Sequence, residues 1–170
     1  MVMALRHALS IALLPFTVAV IIPILIARRY GVTLQLGESV ASVGLQLIGL
    51  GLLGVGVVLF IGSLRRFQTE GHGTLAPWDP PRQLVVRGLY RYVRNPMISG
   101  VIFVLCGEAA LLLSWPQAIW AACFLGINLI FIPLLEEPQL QRRFGDSYAE
   151  YCRHVPRFVP RSRPWAGSGE

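Results

Sequence analysis

The sequence predicts an all-α, polytopic membrane protein with about four transmembrane helices followed by short C-terminal amphipathic helices. Three observations predict it. Of the 170 residues, 54% are hydrophobic and only 14% charged, and the mean hydropathy is +0.58, outside the range of soluble domains. Four apolar stretches reach about 18 residues or more with few or no charges, which is membrane-spanning length. All 15 basic residues are arginines. With a cytoplasmic N-terminus, only Arg28 and Arg29 lie on the outer side, as the positive-inside rule requires.

The net charge of +6 is compatible with nucleic acid, but this sidedness points to membrane lipids as the partner instead, anionic headgroups included. Cys106, Cys123 and Cys152 are dispersed, and their spacing suits small apolar filler better than a metal site or disulfide framework. No metal is expected. His7, His72 and His154 are scattered, and no nucleophile is paired with a base, so covalent catalysis has no support. No residue is assigned a catalytic role.

The first span is placed at Ala8 to Ala27, a charge-free run of 20 residues that is about 30 Å long as a helix. Pro15 and Pro23 should kink it, and neighbouring helices must re-satisfy the freed backbone groups. Arg28 to Glu38 is a short outer loop. The second span, Ser39 to Gly62, carries Gly44, Gly51 and Gly62 on one face with Val55, a surface suited to close helix packing. Ser63 to Asn95 then forms a cytoplasmic loop. It is turn-rich around Gly71, Gly73, Pro77, Pro80 and Pro81, and Leu84 to Val86 forms a strand or extended segment. GHGT at Gly71 to Thr74 lacks the strand and helix of a nucleotide fingerprint.

The third span covers Met97 to Ser114. A tight turn at Ser114-Trp115-Pro116 leads into the fourth, Gln117 to Leu135. This hairpin should bring Asn95 and Pro96 close to Glu136 and Glu137. Pro138 can open a further helix with Leu140 and Phe144 as its apolar stripe and Gly145 as its cap. Ser147 and Glu150 have capping-box spacing for a last helix. Val155 to Trp165 is extended. Residues 1–165 read as one domain and 166–170 as a disordered tail, with both termini cytoplasmic.

Glu136 and Glu137 sit where the helix dipole is negative, so cations or ligand donors must offset them, unless they only mark the water boundary. Arg87, Arg91 and Arg94 share one face if their stretch is helical, serving either headgroups or a ligand. Together, arginines and acids suit a zwitterion, guanidinium taking carboxylate and glutamate taking hydroxyl or ammonium groups. Glu108, inside the third span, either snorkels, pairs with Arg28 or Arg29, or is functional. Asn128 offers an interhelical hydrogen bond or a ligand contact.

GLYRYVRNPMISG (residues 88–100) and EEPQLQRRFGDSYAEYCRHVPRFVP (residues 136–160) together resemble the isoprenylcysteine carboxyl methyltransferase and phospholipid methyltransferase superfamily. The resemblance covers residues 84–160. It implies S-adenosylmethionine as cofactor and a lipophilic acceptor, carboxylate or amine, arriving from the bilayer into a cytoplasm-facing pocket. It also implies that Tyr90, Arg94, Asn95, Pro96 and Gly100 form one wall of the cofactor site, and Glu136, Glu137, Tyr148 and Tyr151 the other. Asn95 replaces the usual histidine and Ile98 the usual tyrosine. Arginine-only usage suggests a bacterial inner-membrane protein. An NADPH-dependent reductase of sterol-reductase type and a non-catalytic membrane scaffold are the alternatives. In-line methyl transfer needs alignment and water exclusion rather than a triad or metal.

Overall fold

The computed structural model describes residues 12–70, 84 and 86–167. The GHGT segment, the turn-rich prolines, the start of the first span, His7, His72 and the last three residues of the expected tail lie outside the described residues. Among those described there is no strand, so Leu84 and Val86 do not belong to one. The chain forms two compact units, Met1–Val58 with Gly100–Ile127, and Leu59–Ser99 with Asn128–Glu170.

In the first unit, a π-helical stretch, Ala12–Ile21, leads into α1, Ile22–Tyr30. Prolines at 15 and 23 withdraw N–H donors from the ladder, favouring the wider register. Two backbone oxygens of this stretch accept side-chain bonds from another helix. Trp120 Nε1 donates to Val18 O at 3.1 Å, and Gln117 Nε2 donates to Pro23 O at 2.9 Å. The helix runs through Arg28 and Arg29, which therefore belong to its last turn rather than to the loop. Gly31, left-handed at φ 63°, closes it, a conformation that glycine adopts at little cost.

Helix α2, Val40–Glu70, is 31 residues long. Ser39 opens it with a reciprocal cap: Ser42 N–H donates to Ser39 Oγ and Ser39 N–H to Ser42 Oγ, at 3.1 and 3.0 Å. Helical geometry continues past Gly62 to Glu70, because Ser63 to Glu70 contains no breaker and several good helix formers. Of the three glycines expected on the close-packing face, Gly62 is in contact, a Cβ there lying 3.1 Å from Leu89 Cδ1, and the other two are not. A Cβ on Gly44 or Gly51 would meet nothing within 4 Å, whereas one on Gly49 or Gly56 would lie 2.6–2.8 Å from backbone atoms of Gly100 to Leu111.

Helices α3, Pro96–Leu111, and α4, Trp115–Phe131, are joined at Leu112 to Ser114. The turn comes earlier than predicted, because Pro116 suits the first turn of a helix and Ser114 Oγ accepts the Gln117 N–H at 3.4 Å. Leu113 supplies the reversal in a left-handed conformation, φ 49°. Among the described residues two helices, Val40–Arg66 and Trp115–Phe144, are long and apolar enough to cross a membrane, and few residues of either are buried inside the protein. Exposed leucines, isoleucines and valines along α2 and α4 form the surface that hydrocarbon, rather than water, would solvate. Helix α3 has 16 residues, fewer than a usual span.

The second unit holds a 3₁₀ turn, Gly88–Arg91, and the end of the long apolar helix. There the chain passes through a π turn, Ile132–Glu136, directly into α5, Glu137–Phe144. Pro138 has no N–H for Leu134 O, and the Glu137 N–H instead reaches Ile132 O. Helical geometry therefore continues past Leu135, and Pro138 stands in the first turn of α5, the opening position expected of it. Gly145, at φ 57°, ends α5 with its N–H on Gln141 O. Helix α6 spans Asp146–His154. It starts at Asp146, before Ser147, and no side-chain cap forms; the predicted capping box is absent because Ser147 is already inside the first turn.

Candidate functional site

The second unit is built around buried Tyr148, Tyr151 and Val155, packed with Leu84, Val86, Leu140, Phe144, Cys152 and Trp165. The amphipathic pattern of α5 and α6 produces this cluster: apolar positions at helical spacing fold inward and leave the arginines out. Trp165 lies 5.9 Å from the Tyr151 ring and stacks on His154 at 5.2 Å. These contacts anchor the end of an extended segment running from Val155.

That segment lies along residues 91–95. Arg94 N–H donates to Pro156 O at 2.8 Å, Arg161 N–H to Tyr92 O at 3.0 Å, and Trp165 N–H to Arg91 O at 3.0 Å. Arg91 returns a side-chain bond from Nε to Trp165 O at 2.6 Å. Arg87, Arg91 and Arg94 do not share one helical face. Regular turn geometry covers only Gly88–Arg91, and Arg87 before it is extended. Gly88, at φ 56°, makes this turn possible, and a Cβ there would press on Arg66 Nε at 3.1 Å.

Two of the sequence-predicted site residues meet directly. Arg94 Nη1 donates to Glu137 Oε1 at 2.8 Å, and the two side chains are only 12% and 18% exposed. A third residue completes the cluster. Arg157 donates from Nε to Glu137 Oε1 at 2.7 Å and from Nη2 to Oε2 at 2.8 Å. This two-pronged bond to the carboxylate raises the guanidinium's pKa and is the strong form of such pairs. Glu137 is thus neutralised from two sides. Its neighbour Glu136 has no hydrogen-bond or ion-pair partner among the described residues. Arg94 Nε is buried and has no acceptor.

Tyr90 lies near Glu136; burial first and that carboxylate second push its phenol well above the ordinary range, so it stays protonated. Tyr151 donates its hydroxyl to Tyr90 O at 2.7 Å, while Tyr148 is 4% exposed in the cluster described above. Asn95 sits at the N-cap of α3: Ser99 N–H donates to Asn95 O at 2.9 Å, and Pro96, fully buried, takes the first helical position. Asparagine followed by proline favours that start. Gly100 belongs to the first unit, where its carbonyl lies 2.7 Å from where a Cβ on Gly56 would stand.

Arg157 was missing from the sequence-derived set. The signal for it was the acid pair itself, since two adjacent carboxylates at a helix end call for more than one cation. Cys152 was expected to be apolar filler, yet its Sγ accepts a bond from Arg94 Nη1 at 2.8 Å, because α6 turns it toward the guanidinium. Glu108 Oε2 is buried without a partner, so no bond to Arg28 or Arg29 satisfies that oxygen. Asn128 is buried. No group of three potential metal ligands occurs among the described residues.

A profile of the phospholipid methyltransferase family matches residues 45–147. Among curated proteins, a phosphatidylethanolamine N-methyltransferase of Zygosaccharomyces rouxii is 31% identical over 74 residues, covering 43% of this chain and 9% of the relative. One of Pyricularia oryzae is 32% identical over 84 residues, covering 48% of this chain and 8% of the relative. The matched region is thus under a tenth of those relatives' length. No solved structure matches.

Proposed function

Because the chain belongs to the phospholipid methyltransferase family, we propose that it transfers a methyl group from S-adenosylmethionine to the amine of a phospholipid headgroup. The amine, rather than a carboxylate, is the acceptor that the two similar N-methyltransferases favour. The proposal includes four spans with both termini cytoplasmic, in a bacterial inner membrane, in a single domain over 1–165. The pocket opens to the cytoplasmic face, where headgroups are within reach.

The observation that carries this reading is Arg94, held by Glu137 through Nη1 while its buried Nε has no acceptor. An inward-facing donor of this kind fits the carboxylate of the methyl donor, and the unpartnered Glu136 fits its ammonium. The residues present therefore suit the cofactor. Tyr90, Asn95, Pro96, Tyr148 and Tyr151 support the wall around these two charges, and Glu137 belongs to it through Arg94.

S-adenosylmethionine supplies an electrophilic methyl carbon bonded to a sulfonium. The protein's share is alignment: charged side chains hold the ligand's ends, and apolar surroundings exclude water from the line of attack. An acceptor nitrogen would take this carbon with its lone pair as the carbon–sulfur bond breaks and the neutral thioether leaves, so it must arrive deprotonated.

The test is transfer of labelled methyl groups by the purified protein into vesicles. Label is expected in phosphatidylethanolamine vesicles and none in phosphatidylcholine vesicles, whose nitrogen is already fully methylated. Absence of label from every lipid, with NADPH binding in its place, would contradict the reading.

A further inference from the structure

Resting on that reading, we infer that Arg157 is a positioning residue, which fixes Glu137 so that Glu137 in turn holds Arg94 with its Nε free for ligand. Two observations point the same way. Arg157 takes both oxygens of Glu137, so the carboxylate's plane and rotamer are set by a rigid fork. The oxygen shared with Arg94, Oε1, is thereby fixed 2.8 Å from Nη1. Arg94 is then prevented from rotating its buried Nε toward Glu137.

Arg157 itself is placed by the backbone. The flanking Pro156 O and its own carbonyl accept N–H bonds from Arg94 and Asn95 at 2.8 and 3.3 Å. The same short segment therefore positions the guanidinium and braces the segment that carries Arg94. The two adjacent acids consequently differ in role. Glu137 orients, and Glu136 is left for the ligand.

The test is a double-mutant cycle read by S-adenosylmethionine titration and thermal melting in detergent, using Arg157→Lys alone and in a Glu137→Gln background. Lysine keeps the charge but not the fork. Arg157→Lys alone should weaken affinity about tenfold, and in the Glu137→Gln background by less than about twofold, since coupled residues do not add. Full affinity in Arg157→Lys overturns the inference, because charge alone would then suffice. Equal losses in both backgrounds also overturn it, because Arg157 would then act directly on ligand. If Glu137→Gln does not fold, Arg157→Ala with added ethylguanidinium replaces it; recovered affinity supports positioning, and no recovery contradicts it. Failure of the wild type to bind S-adenosylmethionine is a separate result that rejects the functional reading, and non-additive melting then still reports the Arg157–Glu137 coupling.

Discussion

Arg157 and Glu137 form a two-pronged ion pair, Nε to Oε1 at 2.7 Å and Nη2 to Oε2 at 2.8 Å. Arg94 shares Oε1 from the other side. One carboxylate thus holds two guanidiniums, and the site depends on it.

Replacing Glu137 with alanine leaves both guanidiniums without their counter-charge. Breaking a fully buried pair costs about 3–5 kcal/mol. Arg157 is 32% exposed, so water recovers part of that, and about 2–3 kcal/mol is expected. The check is thermal melting in detergent, where Glu137→Ala should melt well below the wild type and Glu136→Gln close to it.

Alkaline pH should destabilise the second unit. Burial raises the phenol pKa of Tyr90, Tyr148 and Tyr151 above 10.0, the ordinary value; Glu136 adds to this at Tyr90, Cys152 at Tyr148 and Tyr90 at Tyr151. The folded phenols remain protonated where the unfolded ones have lost their protons. Their stabilising contribution is therefore complete below the unfolded value and lost as pH rises beyond it. Melting temperatures measured from pH 8 upward should fall above about pH 10, and Tyr151→Phe should make the fall shallower.

Helix contact in the first unit makes a paired prediction. Gly56→Ala puts a methyl group 2.7 Å from Gly100 O and 2.8 Å from Val104 N. Neither is a movable side-chain end, so a loss of about 1–3 kcal/mol is expected. Gly44→Ala meets no atom within 4 Å and should be neutral or stabilising by up to about 1 kcal/mol. Melting of the two variants side by side checks both.

The meeting of Arg94 with Glu137 was readable from the sequence, because apolar run lengths and a short turn bring the two helix ends to the same level. The turn lies at Leu112 to Ser114 rather than around Trp115, a shift that preserves the meeting. Arg157 was not readable in the same way. It lies in a segment without regular periodicity, whose course is set by long-range bonds to residues 91–95. The glycine face was misread for a related reason: the sequence shows which glycines share a helix face, but contact with α3 decides which face matters. The overrun of α2 to Glu70 reflects local propensity, which favours helix until Gly71.

The central claim, that Arg94 presents a ligand-binding donor, is tested most directly by calorimetric titration of S-adenosylmethionine into the solubilised wild type and Arg94→Lys. Lysine can still bond Glu137 but has no Nε–H donor at that position. The wild type should bind, and the variant should bind at least about tenfold more weakly, as expected for a lost charge-assisted bond. Equal affinity, or no binding by the wild type, would contradict the claim.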